Sequence, residues 1–363
     1  MREHGVVKGL EIKNLRKSFG RMLAVDDLSL SVNAGDLVSF LGPSGCGKTT
    51  TLRMIGGLEY PDEGDILVNG KSVLSLAPWQ RNCGFVFQSY ALFPHMTVRE
   101  NILYGLRLRK WPRERMEEKI SHIVRLLGIE NLLERKPKQI SGGQQQRVAV
   151  ARALAIEPDI LLMDEPLANL DAKLRDRIRI ELRQIQQNTG VTTVYVTHDQ
   201  DEAFSLSDLI VVMNLGKVEQ IGTPFQIFTE PATEFVASFV GNSNILRGHI
   251  ESVSDSSALL DWHGVKILGR MGYRRVSVNE KAIAIFRVDD VDLVIDSTST
   301  EPSIIEGRIQ DIVFMGGKYR LVVAVNSQLL LFDLERRFVE SSQLAQDSRV
   351  RFTVRDAFLI PVD

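Results

Sequence analysis

The sequence predicts two domains, an α/β domain built on a parallel sheet and then a smaller all-β domain. Three observations predict this. The short apolar run Leu37–Leu41 passes through Gly42-Pro43-Ser44-Gly45-Cys46-Gly47-Lys48-Thr49 into Thr50-Thr51-Leu52-Arg53-Met54-Ile55, the order strand, glycine-rich loop, helix. Ile160-Leu161-Leu162-Met163 is continuously apolar, as a strand buried on both faces of a parallel sheet must be, and it ends in Asp164 and Glu165. Beyond Gly248 the alternation of helix and strand patterns stops and only short strands remain.

A chain of 363 residues, 44% hydrophobic and 25% charged, has the size for two domains with real cores. A formal net charge of −2 gives no global field for nucleic acid. Runs such as Ile210-Val211-Val212-Met213 fall far short of a bilayer span. The first residues, Met1 to Lys8, hold no signal-peptide apolar stretch. Cys46 and Cys83 make neither a disulfide framework nor metal-ligand spacing, which suits a reducing cytoplasm.

In chain order, Leu10–Ile12 and the alternating Leu28-Ser29-Leu30-Ser31-Val32 read as strands. Between them Phe19, beside Gly20, either packs in a core or stacks on an adenine ring. The spacing G-x-x-x-x-G-K-[ST] in Gly42–Thr49 is the P-loop pattern. Its glycines let backbone N–H groups wrap an anion, and the following helix points its positive end at the same place. Lys48 would reach the β/γ-phosphates and the Thr49 hydroxyl would ligate Mg²⁺. In that positive field Cys46 is expected to have a lowered pKa, so that alkylation inhibits and ATP protects.

Asp65–Val68 and Cys83–Phe87 are further strands, the second ending at Gln88. The Gln88 carbonyl is either a ligand for Mg²⁺ or water, or plain surface. Tyr90-Ala91-Leu92-Phe93-Pro94-His95-Met96 is apolar, aromatic and broken by proline; it is either core or a docking surface. A capping box at Thr97 and Glu100 starts a helix, and Met116, Ile120, Ile123, Val124 and Leu127 share one face of another. Ser141-Gly142-Gly143-Gln144 has capping-box spacing before Val148–Leu154. Capping does not account for two glycines at the first helical positions, where they weaken the helix. They make sense where an outside phosphate must approach a bare helix N-terminus.

Asp164 and Glu165 fall at the carboxyl end of their strand, where ligands of open α/β sheets bind. One carboxylate would hold Mg²⁺ and the other orient or deprotonate water. Ala168-Asn169-Leu170-Asp171 makes a tight connection to a helix over 173–187, with Leu174, Ile178, Leu182 and Ile185 inward and Arg175, Asp176, Arg179 and Arg183 on a solvated face. Val191–Thr197 is a β-branched strand that delivers His198 to another strand end, positioned for a γ-phosphate. Asp208–Met213 and Lys217–Ile221 form a hairpin at Asn214-Leu215-Gly216. In the β domain, Gly307–Phe314 and Lys318–Val325 flank the hairpin signal Gly316-Gly317, and the domain reads as a small barrel.

Together these motifs resemble the ATP-binding-cassette (ABC) ATPase subunit of a bacterial solute importer, in the subgroup with a C-terminal barrel extension. Gly42–Thr49 is similar to that family's P-loop, Ser141-Gly142-Gly143-Gln144-Gln145 to its signature and Asp164-Glu165 to its Walker B pair. Phe19, Gln88, Asp171 and His198 fall where the family keeps its adenine-stacking aromatic, Q-loop, D-loop and H-loop. The resemblance implies a P-loop NTPase fold, with a RecA-like cassette over residues 1–240, a helical subdomain about 89–155, and a TOBE/OB-like barrel domain over 241–363. It implies ATP and Mg²⁺ as cofactors, a head-to-tail homodimer with two sandwiched ATPs, and Gly42, Pro43, Ser44, Gly45, Cys46, Gly47, Lys48, Thr49, Thr50 and Phe19 around each nucleotide. Ser141, Gly143 and Gln144 would reach that ATP from the other subunit, and Asp171 would couple the two sites. Thr49, Gln88 and Asp164 would hold Mg²⁺, with Glu165 the general base and Lys48 and His198 at the phosphates. Two membrane-spanning permease subunits would dock near Gln88–Met96, an extracytoplasmic solute-binding protein would complete the complex, and the chain would sit at the cytoplasmic face of the cell membrane, without nucleic acid.

The signature Gln144-Gln145-Gln146-Arg147 and the Ser89–His95 stretch look closest to polyamine, ferric-iron and other small-ion importers, with sugar importers possible. Similar extensions often carry an Ile-Arg-Pro-Glu-type motif; the corresponding run here, Phe286-Arg287-Val288-Asp289-Asp290, departs from it. A soluble ABC ATPase acting on DNA or ribosomes is the competing class. The span from Lys48 to Ser141 leaves no room for the long coiled coil of DNA-repair members, and the chain has one cassette where ribosome-acting members usually have two. A metabolic P-loop kinase leaves the signature unexplained. A regulatory ATPase with a ligand-sensing β domain is compatible with the importer reading.

Overall fold

A computed structural model describes residues 8–272, 274–294, 303–342 and 344–362. The chain divides into two compact units, Met1–Pro224 and Phe225–Asp363. Among the described residues, no helix is long and apolar enough to cross a membrane.

The first unit opens with β1 (Lys8–Phe19), β2 (Met22–Asn33) and β3 (Leu37–Leu41), followed by α1 (Lys48–Gly56), β4 (Glu63–Val68), β5 (Lys71–Ser72) and β6 (Cys83–Val86). The helical insertion is α2 (Val98–Leu108), α3 (Arg113–Leu127) and α4 (Gly142–Ala155). Then come β7 (Ile160–Asp164), α5 (Ala172–Thr189), β8 (Thr192–Thr197), α6 (Gln200–Leu206), β9 (Leu209–Asn214) and β10 (Lys217–Gly222).

Strands β2-β1-β4-β5 make an antiparallel sheet, and β10-β9-β3-β8-β7-β6 a six-stranded one. In the latter, β9, β3, β8, β7 and β6 are parallel and β10 closes a hairpin on β9. Every residue of β7 is buried, and alternation sends Leu161 and Met163 to the core beneath α2–α6 and Ile160 and Leu162 to the core beneath α1 and the antiparallel sheet. The continuous apolar run is the signature of that two-sided burial. Carboxyl ends of parallel strands lie on one edge, so Gly42, Gln88, Asp164 and His198 are delivered together.

The second unit holds α7 (Pro224–Thr229), α8 (Glu234–Phe239), β11 (Ser243–Val253), β12 (Ser257–Trp262), β13 (Val265–Met271) and β14 (Lys281–Arg287). It continues with β15 (Val291–Leu293), β16 (Ile305–Phe314), β17 (Lys318–Val325), β18 (Gln328–Glu335), α9 (Arg336–Ser341), β19 (Arg349–Val354) and β20 (Phe358–Pro361). The expected barrel is there, closed in the order β11-β12-β13-β20-β14, but it accounts for only part of the domain. A second sheet, β15-β19-β16-β17-β18, shares its core, with Leu260 and Phe286 from the barrel beside Leu330 and Phe352 from the sheet. The hairpin turns at Gly316 (φ 86°), as its sequence predicts.

Barrel and sheet are stitched by buried Asn244, whose Nδ2 donates to Leu331 O at 2.8 Å while Leu331 N donates to its Oδ1 at 2.9 Å. Asn244→Ala leaves both main-chain groups of Leu331 without that partner. We expect a loss of about 2 kcal/mol in urea unfolding monitored from the Trp262 side of the barrel; a variant as stable as the parent removes this stitch from the fold.

Candidate active site

The P-loop is pressed against neighbouring main chain. A Cβ on Gly42 would sit 2.2 Å from Met213 O, and Gly47, at φ 106°, would place one 2.3 Å from Ala24 O, so only glycine fits at either position. Helix α1 then begins at Lys48 with no side-chain cap and no acidic residue in its first turn, an open set of N–H donors suited to an anion. Lys48 is buried, its Nζ donating to Gly42 O at 2.7 Å and Pro43 O at 2.8 Å, which holds the ammonium inside the loop. At the far end of α1, buried Arg81 donates through one nitrogen to Met54 O (2.7 Å) and Ile55 O (3.0 Å), satisfying terminal carbonyls and opposing the negative end of the dipole. Sequence reasoning missed Arg81, since a lone arginine before a strand carries no pattern.

The polar strand ends converge. Thr49 Oγ1 donates to Asp164 Oδ1 at 2.9 Å. Gln88 Nε2 donates to Glu165 Oε2 at 3.3 Å, and His198 Nδ1 lies 3.1 Å from Glu165 Oε1. Glu165 therefore sits between Gln88 and His198, held at φ 43°, a left-handed conformation uncommon outside glycine and frequent where function imposes strain. Burial pushes the Asp164 carboxyl above the usual carboxylate range, partly offset by the Thr49 hydroxyl. A cation beside it would relieve that cost. The donor set fits Mg²⁺: a hydroxyl and a carboxylate in contact, with the Gln88 amide oxygen left over from its bond to Glu165. Among the described residues no cluster of three or more His, Cys, Asp or Glu side chains is set for a metal.

Phe19, at the end of β1, is 44% exposed, with Lys17 Nζ 5.2 Å from its ring centroid. Ser141 caps α4, its Oγ accepting from Gln144 N at 3.4 Å while Ser141 N donates to Gln144 Oε1 at 3.0 Å. The two glycines behind it differ. A Cβ on Gly143 would meet Leu174 at 3.2 Å, so part of the reason for that glycine is packing on α5, whereas Gly142 is exposed with only an ordinary contact at 3.4 Å. Ser141 and Gly142 are exposed. Asp171 is exposed and caps α5 by accepting from Leu174 N at 3.0 Å.

Two expectations need correction. Two members of the solvated face expected on α5 have fixed partners, whereas Asp176 is exposed as expected: Arg175 donates to Leu170 O (3.0 Å) and Asp199 Oδ2 (3.2 Å), and Arg183 pairs with Asp208. Their acceptors come from the 170 loop and from segments after β8, which helical periodicity does not register. The Gln88–Met96 stretch is part core and part surface. Tyr90 is buried beneath α4, while Gln88, Ser89, Ala91, Pro94 and His95 are exposed. Its main chain is fixed by Arg152 of α4, which donates to Ala91 O (2.7 Å) and Tyr90 O (2.9 Å), and by buried Asn101, which accepts from Phe93 N and donates to Phe93 O.

A family model described as ABC transporter matches residues 25–168. The spermidine/putrescine import ATP-binding protein PotA of Lawsonia intracellularis is 43% identical over 318 residues, 87% of this chain and 86% of that one. The Fe(3+) ions import ATP-binding protein FbpC of Rhizobium etli is 44% identical over 340 residues, 92% and 93% of the two chains. The chain belongs to the ABC transporter ATPases. The sulfate/thiosulfate import ATP-binding protein CysA of Thermosynechococcus vestitus is 52% identical over 250 residues, 69% of this chain and 74% of that one. Among solved structures, a dimeric ATP-binding cassette in a post-hydrolysis state with ADP and phosphate is 34% identical at a TM-score of 0.53, covering 59% of this chain and 98% of that one. CbiO1 of Clostridium perfringens, part of an ABC transporter complex, is 29% identical at a TM-score of 0.58, covering 62% and 92%. This ABC ATPase binds ATP and hydrolyses it for transport, and at the strand-end cluster the Gly42–Thr49 loop meets Asp164 through Thr49.

The ABC ATPase overturns one further expectation. Cys46 is buried against Gly42, and burial pushes its thiol up, outweighing the nearby Lys48 ammonium. Cys83 is likewise raised by burial, to about 11. At pH 7.5 both thiols are therefore protonated, with Cys46 buried and Cys83 half-buried. Iodoacetamide should label neither in the native protein on the time that labels both after denaturation, with labelling rising at alkaline pH; rapid neutral-pH modification of Cys46, read by mass spectrometry, contradicts this.

Proposed function

We propose that this ATPase energises import of a small ion, of the polyamine, ferric-iron or sulfate classes its relatives are named for, as a peripheral subunit at the cytoplasmic face of the cell membrane. The observation that carries the mechanism is the unbroken contact from Gln88 through Glu165 to His198 at the carboxyl edge of the sheet. Two copies would associate head to tail. Ser141, Gly143 and Gln144, exposed or half-buried at the N-terminus of α4 apart from Gly143, would then complete the partner's P-loop, and Asp171 would sit between the sites. The exposed edge of Gln88–Met96, braced on α4 by Arg152, suits docking of the membrane-spanning permease subunits, with an extracytoplasmic binding protein selecting the solute.

Within each site the open N–H groups of α1 and the Lys48 ammonium hold the β- and γ-phosphates. Thr49, Asp164 and the Gln88 amide oxygen would hold Mg²⁺, which supplies neutralisation of charge on the phosphate oxygens. Glu165, oriented by Gln88 and His198, takes the proton of the attacking water. His198, 58% exposed in its side chain, has the freedom to reach the γ-phosphate once the dimer closes.

Glu165→Gln keeps the contacts and removes the base. Hydrolysis should fall at least about 100-fold while ATP still binds in an equilibrium assay; substantial residual turnover removes Glu165 from that role. Mixing Ser141→Arg subunits with Lys48→Ala subunits creates dimers with one intact composite site, and turnover above that of either variant alone is the expected signature of association in trans. Activity no higher than the separate variants, in mixtures shown to exchange subunits, counts against the composite site.

A further inference from the structure

Between the loop that carries Asp171 and the turn that carries His198 lies one side chain that touches both. Arg175, one turn into α5, donates from one terminal nitrogen to Leu170 O at 3.0 Å and from the other to Asp199 Oδ2 at 3.2 Å. Its Nε, buried, faces Glu202 Oε1 at 4.0 Å. Both anions are themselves fixed. Asp199 caps α6 through Glu202 N (3.2 Å), and its own N–H donates to Thr197 Oγ1 (2.9 Å). Glu202 is 3% exposed and accepts from Tyr195 Oη (2.7 Å) and Thr197 Oγ1 (2.8 Å). On the other side, Leu170 N donates to Leu167 O, Ala168 N donates to Glu165 O (3.2 Å) and Asn169 Nδ2 donates to Gln88 O (2.8 Å).

We infer that Arg175 is a positioning residue for hydrolysis, a clamp that keeps the 168–171 loop and the His198 turn in one register so that Glu165 stays between Gln88 and His198. This rests on the reading of the Glu165 cluster as the hydrolytic centre. Arg175 contacts neither the P-loop nor Thr49 or Asp164, so it acts on turnover and not on nucleotide affinity. A planar guanidinium can serve two acceptors in fixed directions, while an ammonium on a flexible stem holds no such fork. Lysine therefore keeps the charge beside Asp199 and Glu202 but loses the clamp.

Full-length Arg175→Ala and Arg175→Lys are compared with the parent for kcat, ATP KM, thermal midpoint and amide exchange, each also in a His198→Ala background under single-turnover conditions. Arg175→Ala is expected to lower kcat about 10- to 100-fold with KM for ATP within about twofold. Exchange should speed at Ala168–Asp171 but not in β7. In the His198→Ala background the same change should cost clearly less, because one of the two groups it positions is gone while the 168–171 loop beside Glu165 remains. Arg175→Lys should hold the thermal midpoint yet keep kcat below the parent's, and it carries the test should the alanine variant fail to fold. A parental kcat in Arg175→Lys, a loss that appears in KM, or a penalty undiminished by His198→Ala overturns the inference. Glu165→Gln run beside them separates the two readings: if it retains turnover the hydrolytic centre is misassigned, and if it is inactive while Arg175→Ala turns over normally, only the clamp is wrong.

Discussion

The chemistry of this cassette depends on the register of four neighbouring parallel strands. Leu41 pairs with Thr197, Asp164 with Val196 and Val86 with Met163, so the residues that follow each strand leave the sheet at one level. Parallel hydrogen bonding permits this because all the chains exit on the same edge, and burial on both faces forbids slippage, since a shift by one residue would exchange the two cores. Leu161 and Met163 would have to trade sides with Ile160 and Leu162. The side chains at the edge are placed by the hydrophobic effect acting several ångströms below them.

Above that floor, local strain finishes the placement. Glu165 leaves β7 at φ 43°, with its N–H donating to Val196 O at 3.0 Å and its carbonyl accepting from Ala168 N. The turn aims its carboxylate along the edge instead of continuing the pleat. A pair of left-handed residues, Tyr90 (φ 60°) and Ala91 (φ 46°), bends the chain after Gln88, and Arg152 of α4 ties down both carbonyls. The helix that begins at the signature thus also braces the segment next to Gln88. A displacement of α4 has a direct mechanical route to that exposed edge.

What the sequence made legible follows from the range of the interactions. The P-loop, the Ser141–Gln144 cap and the apolar strands are local patterns, each set by backbone requirements within a few residues, and each is found in place. Arg175 reads as solvated from the sequence because amphipathic periodicity reports where a side chain points and not what approaches it from elsewhere in the chain. Cys46 was misjudged in sign because the Lys48 charge is written in the sequence while the burial that outweighs it comes from the close fit of the loop on Met213 and Ala24. In the second unit, barrel closure rests on pairs such as Arg270 with Phe358, and no local pattern announces such pairing. The adjoining sheet was likewise unreadable as separate, since its strands alternate just as the barrel's do.

The run Phe286–Asp290, which departs from the motif seen in similar extensions, gains a physical account from that second unit. Arg287 is buried, and its guanidinium donates to Phe228 O at the end of α7, to Val240 O just past α8 and to Ser243 Oγ, with the Phe228 ring 4.2 Å away. Carbonyls at helix ends lack intrahelical donors, and a cation there also meets the negative end of the dipole. Burial lowers the Arg287 pKa, but its ordinary value is so high that the charge remains, and the carbonyls together with nearby Asp290 and Asp289 compensate it. Its place is structural: it fastens two short helices, each too brief to hold its shape alone, to the barrel strand β14. Removing it would take a donor from the carbonyls of Phe228 and Val240 at the start of the unit, and would leave Asp290 and Asp289 without the cation they face.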